Sequence, residues 1–339
     1  MTRTNSARAV QTDVRLDVRT EARIEARAAR GRAVGGRLKA LTLGLTALAL
    51  GLTGTVATTA PAAAAPLILT GPSFTGDESA ELIKKEDGFR IWENTDGYAG
   101  DWPWGEDWVH GSGWSGADSR SVYFADLNGD RHKDLINLSG DSFRVWHHNG
   151  NSLRWNPWGD EVRTGSGWSG HDPSSIWFAD ITGDGLADLV EKSGDTLSYY
   201  RNLGGGTSWA GAVTMGHGYA GRDPRSIWFA DLNGDQKAER VELSQGSFLV
   251  APNTAGHTGG WPWGVTSYYT GSGWSGHDPS SLWFADITGD GRADLVQKNG
   301  DELRYFPNSG SGTGGTSWSG AVHAGSGWSS VDPKGIYFA

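Results

Sequence analysis

The chain has 339 residues, with 52 glycines, 18 tryptophans and no cysteine, which excludes a disulfide framework and a thiolate zinc site. Residues 1–65 hold 10 Lys+Arg against 4 Asp+Glu, whereas residues 66–339 hold 19 against 35. So acidic a body argues against nucleic acid as a partner.

In the basic leader, Arg15, Arg19, Arg23 and Arg27 recur every four residues, interleaved with Asp17, Glu21 and Glu25, as on one stripe of a helix. Arg32, Arg37 and Lys39 then precede an apolar run at 41–60, and alanines follow at 62–65. Basic, apolar, then small is the order of a secretory signal peptide, with cleavage expected near Ala65. The run is also long enough for an uncleaved anchor. Residues 1–65 are therefore read as a signal peptide with a long basic leader, unless the true start lies downstream. Residues 66–339 are read as a secreted, extracellular body that carries no further membrane-length run.

A degenerate copy at 73–110 opens the body, with Gly76-Asp77 and Glu81-Leu82 but Ser73 at the leading position. Phe-Ala-Asp-x-(Asn/Thr)-Gly-Asp then recurs from Phe124, Phe178, Phe229 and Phe284, and a last copy stops after Phe338-Ala339. The steps are 54, 51, 55 and 54 residues, the period of stacked supersecondary units. In the copy at 175–214, strands are predicted at 175–179, 187–191, 196–201 and 208–213. Ser193-Gly194-Asp195 supplies a hairpin turn, Gly204, Gly205 and Gly206 break the chain, and the next copy opens at Gly216.

Four short strands per repeat predict an all-β fold, a β-propeller of four-stranded blades with about five repeats. An open β-solenoid is the alternative, although its rungs are usually shorter. The copies fall into two flavours, one with Trp104-Gly105, Trp158-Gly159 and Trp263-Gly264, the other with Ser-Trp-x-Gly-Ala-Val around Trp209 and Trp318. The terminal strand at 335–339 could complete the N-terminal copy and close a five-bladed ring. Truncation of a larger ring, with further domains lost, is the other reading.

Each full copy carries Asp-x-(Asn/Thr)-Gly-Asp-x-x-x-(Asp/Glu). Side-chain oxygens at positions 1, 3, 5 and 9, with the carbonyl of position 7, can wrap one hard cation, and the glycine permits the sharp turn. Three carboxylates at about 4 Å and an effective dielectric near 20 repel by roughly 4 kcal/mol per pair, so they call for a cation. Absent cysteine and paired histidine ligands, calcium suits better than zinc or copper. Asx turns without an ion are the bland alternative.

The segments 178–190 and 284–296 (Phe-Ala-Asp-Ile-Thr-Gly-Asp-Gly-x-Ala-Asp-Leu-Val) resemble FG-GAP/VCBS-type repeats. Those repeats build integrin-α-like calcium-binding β-propellers. The resemblance covers 66–339 and implies Ca²⁺ ligands in four loops. They are Asp126, Asn128, Asp130 and Asp134; Asp180, Thr182, Asp184 and Asp188; Asp231, Asn233, Asp235 and Glu239; and Asp286, Thr288, Asp290 and Asp294. The family often has Asp at position 3, so Asn and Thr there imply weaker binding.

Gly-Ser-Gly-Trp-Ser-Gly recurs around Trp114, Trp168 and Trp274, with Tyr219 and Trp328 in the variants. Rings flanked by glycine and serine can offer a flat apolar face to a sugar. The arrangement is similar to integrin-like propeller lectins, which bind saccharides between blades. The competing reading is structural wedging between blades, and Trp177, Trp228 and Trp283, within strands, are read as packing. His171-Asp172-Pro173-Ser174 and His277-Asp278-Pro279-Ser280 hold triad residue types, but Ala117, Arg222 and Val331 replace the histidine elsewhere, so the segment reads as a turn. His147-His148 reads as an exposed pair. The expectation is a non-catalytic binding module for carbohydrate or a cell surface. The alternatives are an accessory propeller of an extracellular enzyme or a protein-adhesion module.

Overall fold

A computed structural model describes residues 71–95, 103–151, 153–254, 261–264, 266–310 and 318–339. The predicted leader and export segment lie outside them. Among the described residues no helix is long and apolar enough to cross a membrane.

The chain forms a five-bladed β-propeller. Strands β1 (Leu82–Lys85), β2 (Phe89–Asn94) and β3 (Trp104–His110) belong to blade 1. Blade 2 holds β4 (Val122–Ala125), β5 (Asp134–Ser139), β6 (Ser142–His148) and β7 (Trp158–Thr164). Blade 3 holds β8 (Ile176–Ala179), β9 (Asp188–Ser193), β10 (Thr196–Tyr200) and β11 (Val213–Gly216). Blade 4 holds β12 (Ile227–Ala230), β13 (Glu239–Ser244), β14 (Ser247–Ala251) and β15 (Tyr268–Thr270). Blade 5 holds β16 (Leu282–Ala285), β17 (Asp294–Asn299), β18 (Glu302–Phe306) and β19 (Val322–Ser326). The last strand, β20 (Ile336–Phe338), completes blade 1 by pairing antiparallel with β1, Leu82 opposite Phe338 and Lys84 opposite Ile336. Of the two readings of the terminal strand, closure of a five-bladed ring is the one observed.

The apolar residues explain why a blade cannot stand alone. Second strands such as β5 and β9 are buried along most of their length. The core is divided into five clusters, each spanning a junction between two blades. Stacking is thus the step that hides both faces of each small sheet.

Polar contacts repeat at every junction. The residue at loop position 8 donates its N–H to the position 1 carbonyl of the preceding loop. Ala187 reaches Asp126 at 2.8 Å, Ala238 reaches Asp180 at 2.8 Å and Ala293 reaches Asp231 at 2.7 Å. Ala80 reaches Asp286 at 2.7 Å and Lys133 reaches Ser73 at 3.1 Å, which completes the circle. A second set of contacts runs through asparagines at or just past the end of the third strand in blades 1, 3, 4 and 5. The Asn202 amide donates to Leu127 O across the junction at 2.9 Å and to Ala187 O at 3.2 Å, and it accepts from Gly204 and Gly206. Asn253, Asn308 and Asn94 make the matching cross-blade bonds to Ile181, Leu232 and Ile287.

Asn202 is 1% exposed, so its loss strands buried carbonyls. Asn202→Ala is expected to cost about 2–4 kcal/mol in denaturant unfolding, since each abandoned buried group costs roughly 1–3 kcal/mol. The exposed Asn149, substituted likewise, should cost under about 0.5 kcal/mol.

One predicted element moves. The fourth strand of blade 3 was expected at 208–213 but forms at Val213–Gly216, and Gly216 ends it instead of opening the next copy. Trp209 instead makes an isolated bridge with Asn202 and sends its indole N–H to Thr164 Oγ1 of blade 2 at 2.9 Å. Trp263 and Trp104 reach Met215 O and Ala324 O of their preceding blades in the same manner. In blades 1, 3 and 4 the two flavours of repeat thus converge on one tryptophan peg. Trp177 and Trp228 tie inner strands of neighbouring blades through Ile227 O and Leu282 O, as packing residues.

Candidate functional site

Two sets of residues come forward: the acidic loops at one end of the propeller and the aromatic pockets between blades.

Each acidic loop follows an inner strand and is held by its own backbone. Asp126 accepts from Gly129 N at 2.7 Å and Arg131 N at 2.8 Å. Asp180, Asp231 and Asp286 accept from the equivalent N–H groups of Gly183 and Gly185, Gly234 and Gln236, and Gly289 and Gly291. At position 9, Asp134, Asp188, Glu239 and Asp294 accept from Leu127, Ile181, Leu232 and Ile287 within the loop, and from His148, Asn202, Asn253 and Asn308 beyond it. Position 3 stays within its loop: Asn128 donates to Asp130, Asn233 to Glu239, Thr182 to Asp180 and Thr288 to Asp286. At position 5, Asp184, Asp235 and Asp290 pair with Arg201, Lys237 and Arg292 at 3.1, 2.7 and 2.8 Å.

Burial dominates the electrostatics. It pushes Asp126, Asp180 and Asp231 up to about 6, Asp188, Asp286 and Asp294 to about 7, and Glu239 to about 8. Neighbouring loop carboxylates push the same way, while backbone N–H donors oppose. The donor set is all oxygen and poorly solvated, which fits a hard cation. In this arrangement, however, much of its hydrogen-bonding capacity is spent on N–H groups. Among the described residues no group of three or more His, Cys, Asp or Glu is placed to hold a metal ion.

The loop of the degenerate copy is assembled from both ends of the described chain. Ser73 takes the place that would follow Ala339, and its Oγ accepts from Gly76 at 3.0 Å and Glu78 at 3.1 Å. Glu81 and Ala339 exchange backbone hydrogen bonds beside it. Serine therefore reproduces the leading aspartate's turn without its charge.

His147 and His148 are not an exposed pair. His148 is 3% exposed and packs against Phe74, because it stands where the other blades place their bridging asparagine. His147 Nδ1 lies 3.0 Å from Asp134 Oδ2, and that carboxylate holds its pKa above the usual histidine value.

The repeated Gly-Ser-Gly-Trp loops are positioned by hairpin aspartates. Asp141 accepts from Ser169 N at 3.2 Å, and its carbonyl accepts from Trp168 N. Asp301 and Asp195 clamp the loops of Trp328 and Tyr219 similarly. Gly165 has φ +67°, and a Cβ there would lie 3.0 Å from Trp168 Nε1. The glycine therefore lets the indole fold back on its own loop. As a result Trp168, Tyr219, Trp274 and Trp328 are 4–8% exposed, and Trp114 is half-buried. They wedge between blades and leave no broad flat face in solvent.

Among the described residues, a pocket lies beside the wedge between blades 2 and 3. It encloses about 220 Å³ and is lined by Trp168, His171, Leu189, Tyr200, Trp209 and the backbone around Ser166. His171 caps it, its ring centroid 5.1 Å from that of Trp168. Next to His171, Asp172 accepts from Ser174 N and caps the turn at Pro173–Ser175, which accounts for the His-Asp-Pro-Ser segment. The contributions of Tyr200 and Trp209 were not anticipated. Their signal is the tyrosine that ends a third strand and the tryptophan peg of the same blade.

The FG-GAP-like repeat family model matches residues 126–191. No curated protein matches the chain. Among solved structures, it is similar to a lectin of Agrocybe aegerita described as specifically recognising non-reducing terminal N-acetylglucosamine. That likeness is 19% identity and a TM-score of 0.47, over 78% of this chain and 69% of the lectin. It is also similar to the Photorhabdus luminescens Tc holotoxin pore, at 18% identity and a TM-score of 0.43, over 75% of this chain and 13% of that one. The complex TcdB2-TccC3-Cdc42 matches at 17% identity and a TM-score of 0.39, over 66% and 13%. The chain is thus a five-bladed β-propeller in which the segment matching the FG-GAP-like repeat family, 126–191, holds the acidic loops of blades 2 and 3, and the same loop pattern recurs in blades 4 and 5.

Proposed function

We propose that this chain is an exported, non-catalytic binding module that takes a saccharide in the pocket between blades 2 and 3, with calcium held in the four acidic loops. The observation that carries the proposal is the pocket itself. Its volume suits a single sugar ring. Its aromatic walls can meet the apolar C–H face of a sugar, while His171, Ser166 and the loop backbone can hydrogen-bond its hydroxyls. Calcium, when bound, would neutralise the carboxylates of positions 1, 5 and 9, of which those at position 9 are buried and those at position 5 are exposed.

His171 lines the pocket with an exposed side chain, so its removal deletes no apolar core contact. His171→Ala is expected to weaken saccharide binding about tenfold or more on a glycan array and by calorimetry, while the chain stays folded and melts several degrees below the parent because the buried Glu191 carboxylate loses a partner. Terminal N-acetylglucosamine glycans form one arm of that array. Silence across every glycan would reject the saccharide reading and favour a protein-adhesion or accessory role.

A further inference from the structure

The saccharide reading treats one pocket; the repeat creates five related junctions, and their side chains differ. Only two carry histidine three residues after the wedge tryptophan, namely His171 and His277. Each ring lies against its tryptophan, with centroids 5.1 and 5.2 Å apart. Between blades 3 and 4 the corresponding space is filled by a charged cluster. Glu242 bridges Arg222 and Arg240, and both guanidiniums lie 5.6 Å from the Tyr219 ring centroid. Ala117 and Val331 leave the remaining two junctions without a polar group at the histidine position.

The two histidine junctions are not copies of each other. Between blades 2 and 3, the buried Glu191 carboxylate grips two polar side chains of the pocket. His171 Nδ1 lies 2.6 Å from Oε1, and Tyr200 donates its hydroxyl to Oε2 at 3.2 Å. One carboxylate therefore fixes the tautomer of His171, with Nε2 left to face a ligand, and aims the phenol oxygen as an acceptor. Between blades 4 and 5, Gln297 replaces Glu191 and Phe306 replaces Tyr200 at the same strand positions. There His277 Nδ1 is buried without a hydrogen-bond partner.

We infer that this propeller has two saccharide sites of unequal strength, a tight one between blades 2 and 3 ordered by Glu191 and a weak one between blades 4 and 5. The inference rests on the saccharide reading and adds the number of sites and the residues that set their selectivity. Glu191 is a positioning residue, acting through His171 and Tyr200. A site built to hydrogen-bond a sugar hydroxyl discriminates through those bonds, whereas the Phe306 junction retains only apolar stacking and a loosely held histidine.

The test is calorimetry with a panel of mono- and disaccharides on the whole chain, with thermal melting in the absence of sugar. The parent should show two classes of site differing about tenfold, the worth of one or two hydrogen bonds. The pair Glu191→Gln and Tyr200→Phe should leave two weak, equivalent sites. The reciprocal pair Gln297→Glu and Phe306→Tyr should produce two tight ones. Glu191→Asp should retain part of the tight class. The melting curves show whether a variant has merely lost its fold, and the gain in the reciprocal pair cannot arise from damage. A parent with one class of site, or variants that leave both classes unchanged, overturns the inference while the saccharide reading survives. No binding by the parent to any sugar overturns both.

Discussion

Deleting residues 336–339 is expected to unfold the protein at room temperature. The strand is short, but each of its side chains serves a junction. Ile336 and Ala339 are at most 1% exposed. Phe338 packs between Trp283 and Trp104, with ring centroids at 5.4 and 6.1 Å. Tyr337 donates its hydroxyl to Ser119 O at 2.7 Å. Removing a buried Ile or Phe side chain costs about 2–5 kcal/mol, and several are removed at once. The loss also frees β1 along its hydrogen-bonding edge and separates Glu81 from Ala339. A domain holds only about 5–15 kcal/mol in reserve, so the deletion exceeds it or nearly so. Circular dichroism and tryptophan fluorescence should show lost near-ultraviolet structure in the deleted chain. Ile336→Ala, the graded version, should fold and lose about 2–4 kcal/mol. A deleted chain that melts as the parent does would show that the ring closes by some other contact.

That closure was one of two readings open in the sequence, and it was available because the motif Phe-Ala-Asp carries its own phase. Phe338-Ala339 lacks a loop after it and Ser73 lacks a strand before it, so the two halves complete one unit. The bridging asparagines were equally visible, though unread. Asn202, Asn253 and Asn308 each lie 14 residues after the last acid of their loop, as their hydrogen bonds to Asp188, Glu239 and Asp294 now show. They escaped notice because asparagine near a glycine-rich loop reads as ordinary turn chemistry. His148 broke the series and looked like surface for the same reason. The wedge aromatics were read partly as open faces, since flanking glycine and serine suggest exposure. The structure shows the opposite use of glycine: it clears room for the indole to lie against its own backbone and the next blade. What the sequence could not supply was which side chains from different repeats meet. Glu191 and His171 are 20 residues apart and belong to different segments of the motif, and only the fold sets the carboxylate behind the imidazole that lines the pocket.

Stripped of divalent ions, the protein is expected to melt at a higher temperature at pH 5 than at pH 8, and millimolar calcium should erase that loss. Asp126, Asp180, Asp188, Asp231, Glu239, Asp286 and Asp294 titrate at about 6 to 8 in the folded chain, pushed up first by burial. In the unfolded chain they titrate near 4. Between about pH 4 and pH 8 the folded state therefore binds more protons than the unfolded one. Stability must fall as pH rises through that window, because the slope follows the protons bound unfolded minus those bound folded. Below about pH 4 the opposite sign takes over, since Asp118, Asp223 and Glu86 sit under their usual values through hydrogen bonds to Arg120, Arg225 and Lys84. A metal-free optimum near pH 5 follows. Calcium binds the ionised carboxylates, so its stabilisation should grow as protons leave. Ion at a hundred times its dissociation constant contributes about 2.7 kcal/mol per site. Four sites would then raise the melting temperature at pH 8 by roughly 10 °C or more, and by less at pH 5. Differential scanning calorimetry across pH in EDTA and in calcium measures both curves. If the two curves coincide at every pH, the loops are held by their backbone N–H groups and by Arg201, Lys237 and Arg292 alone, and the calcium proposal is lost.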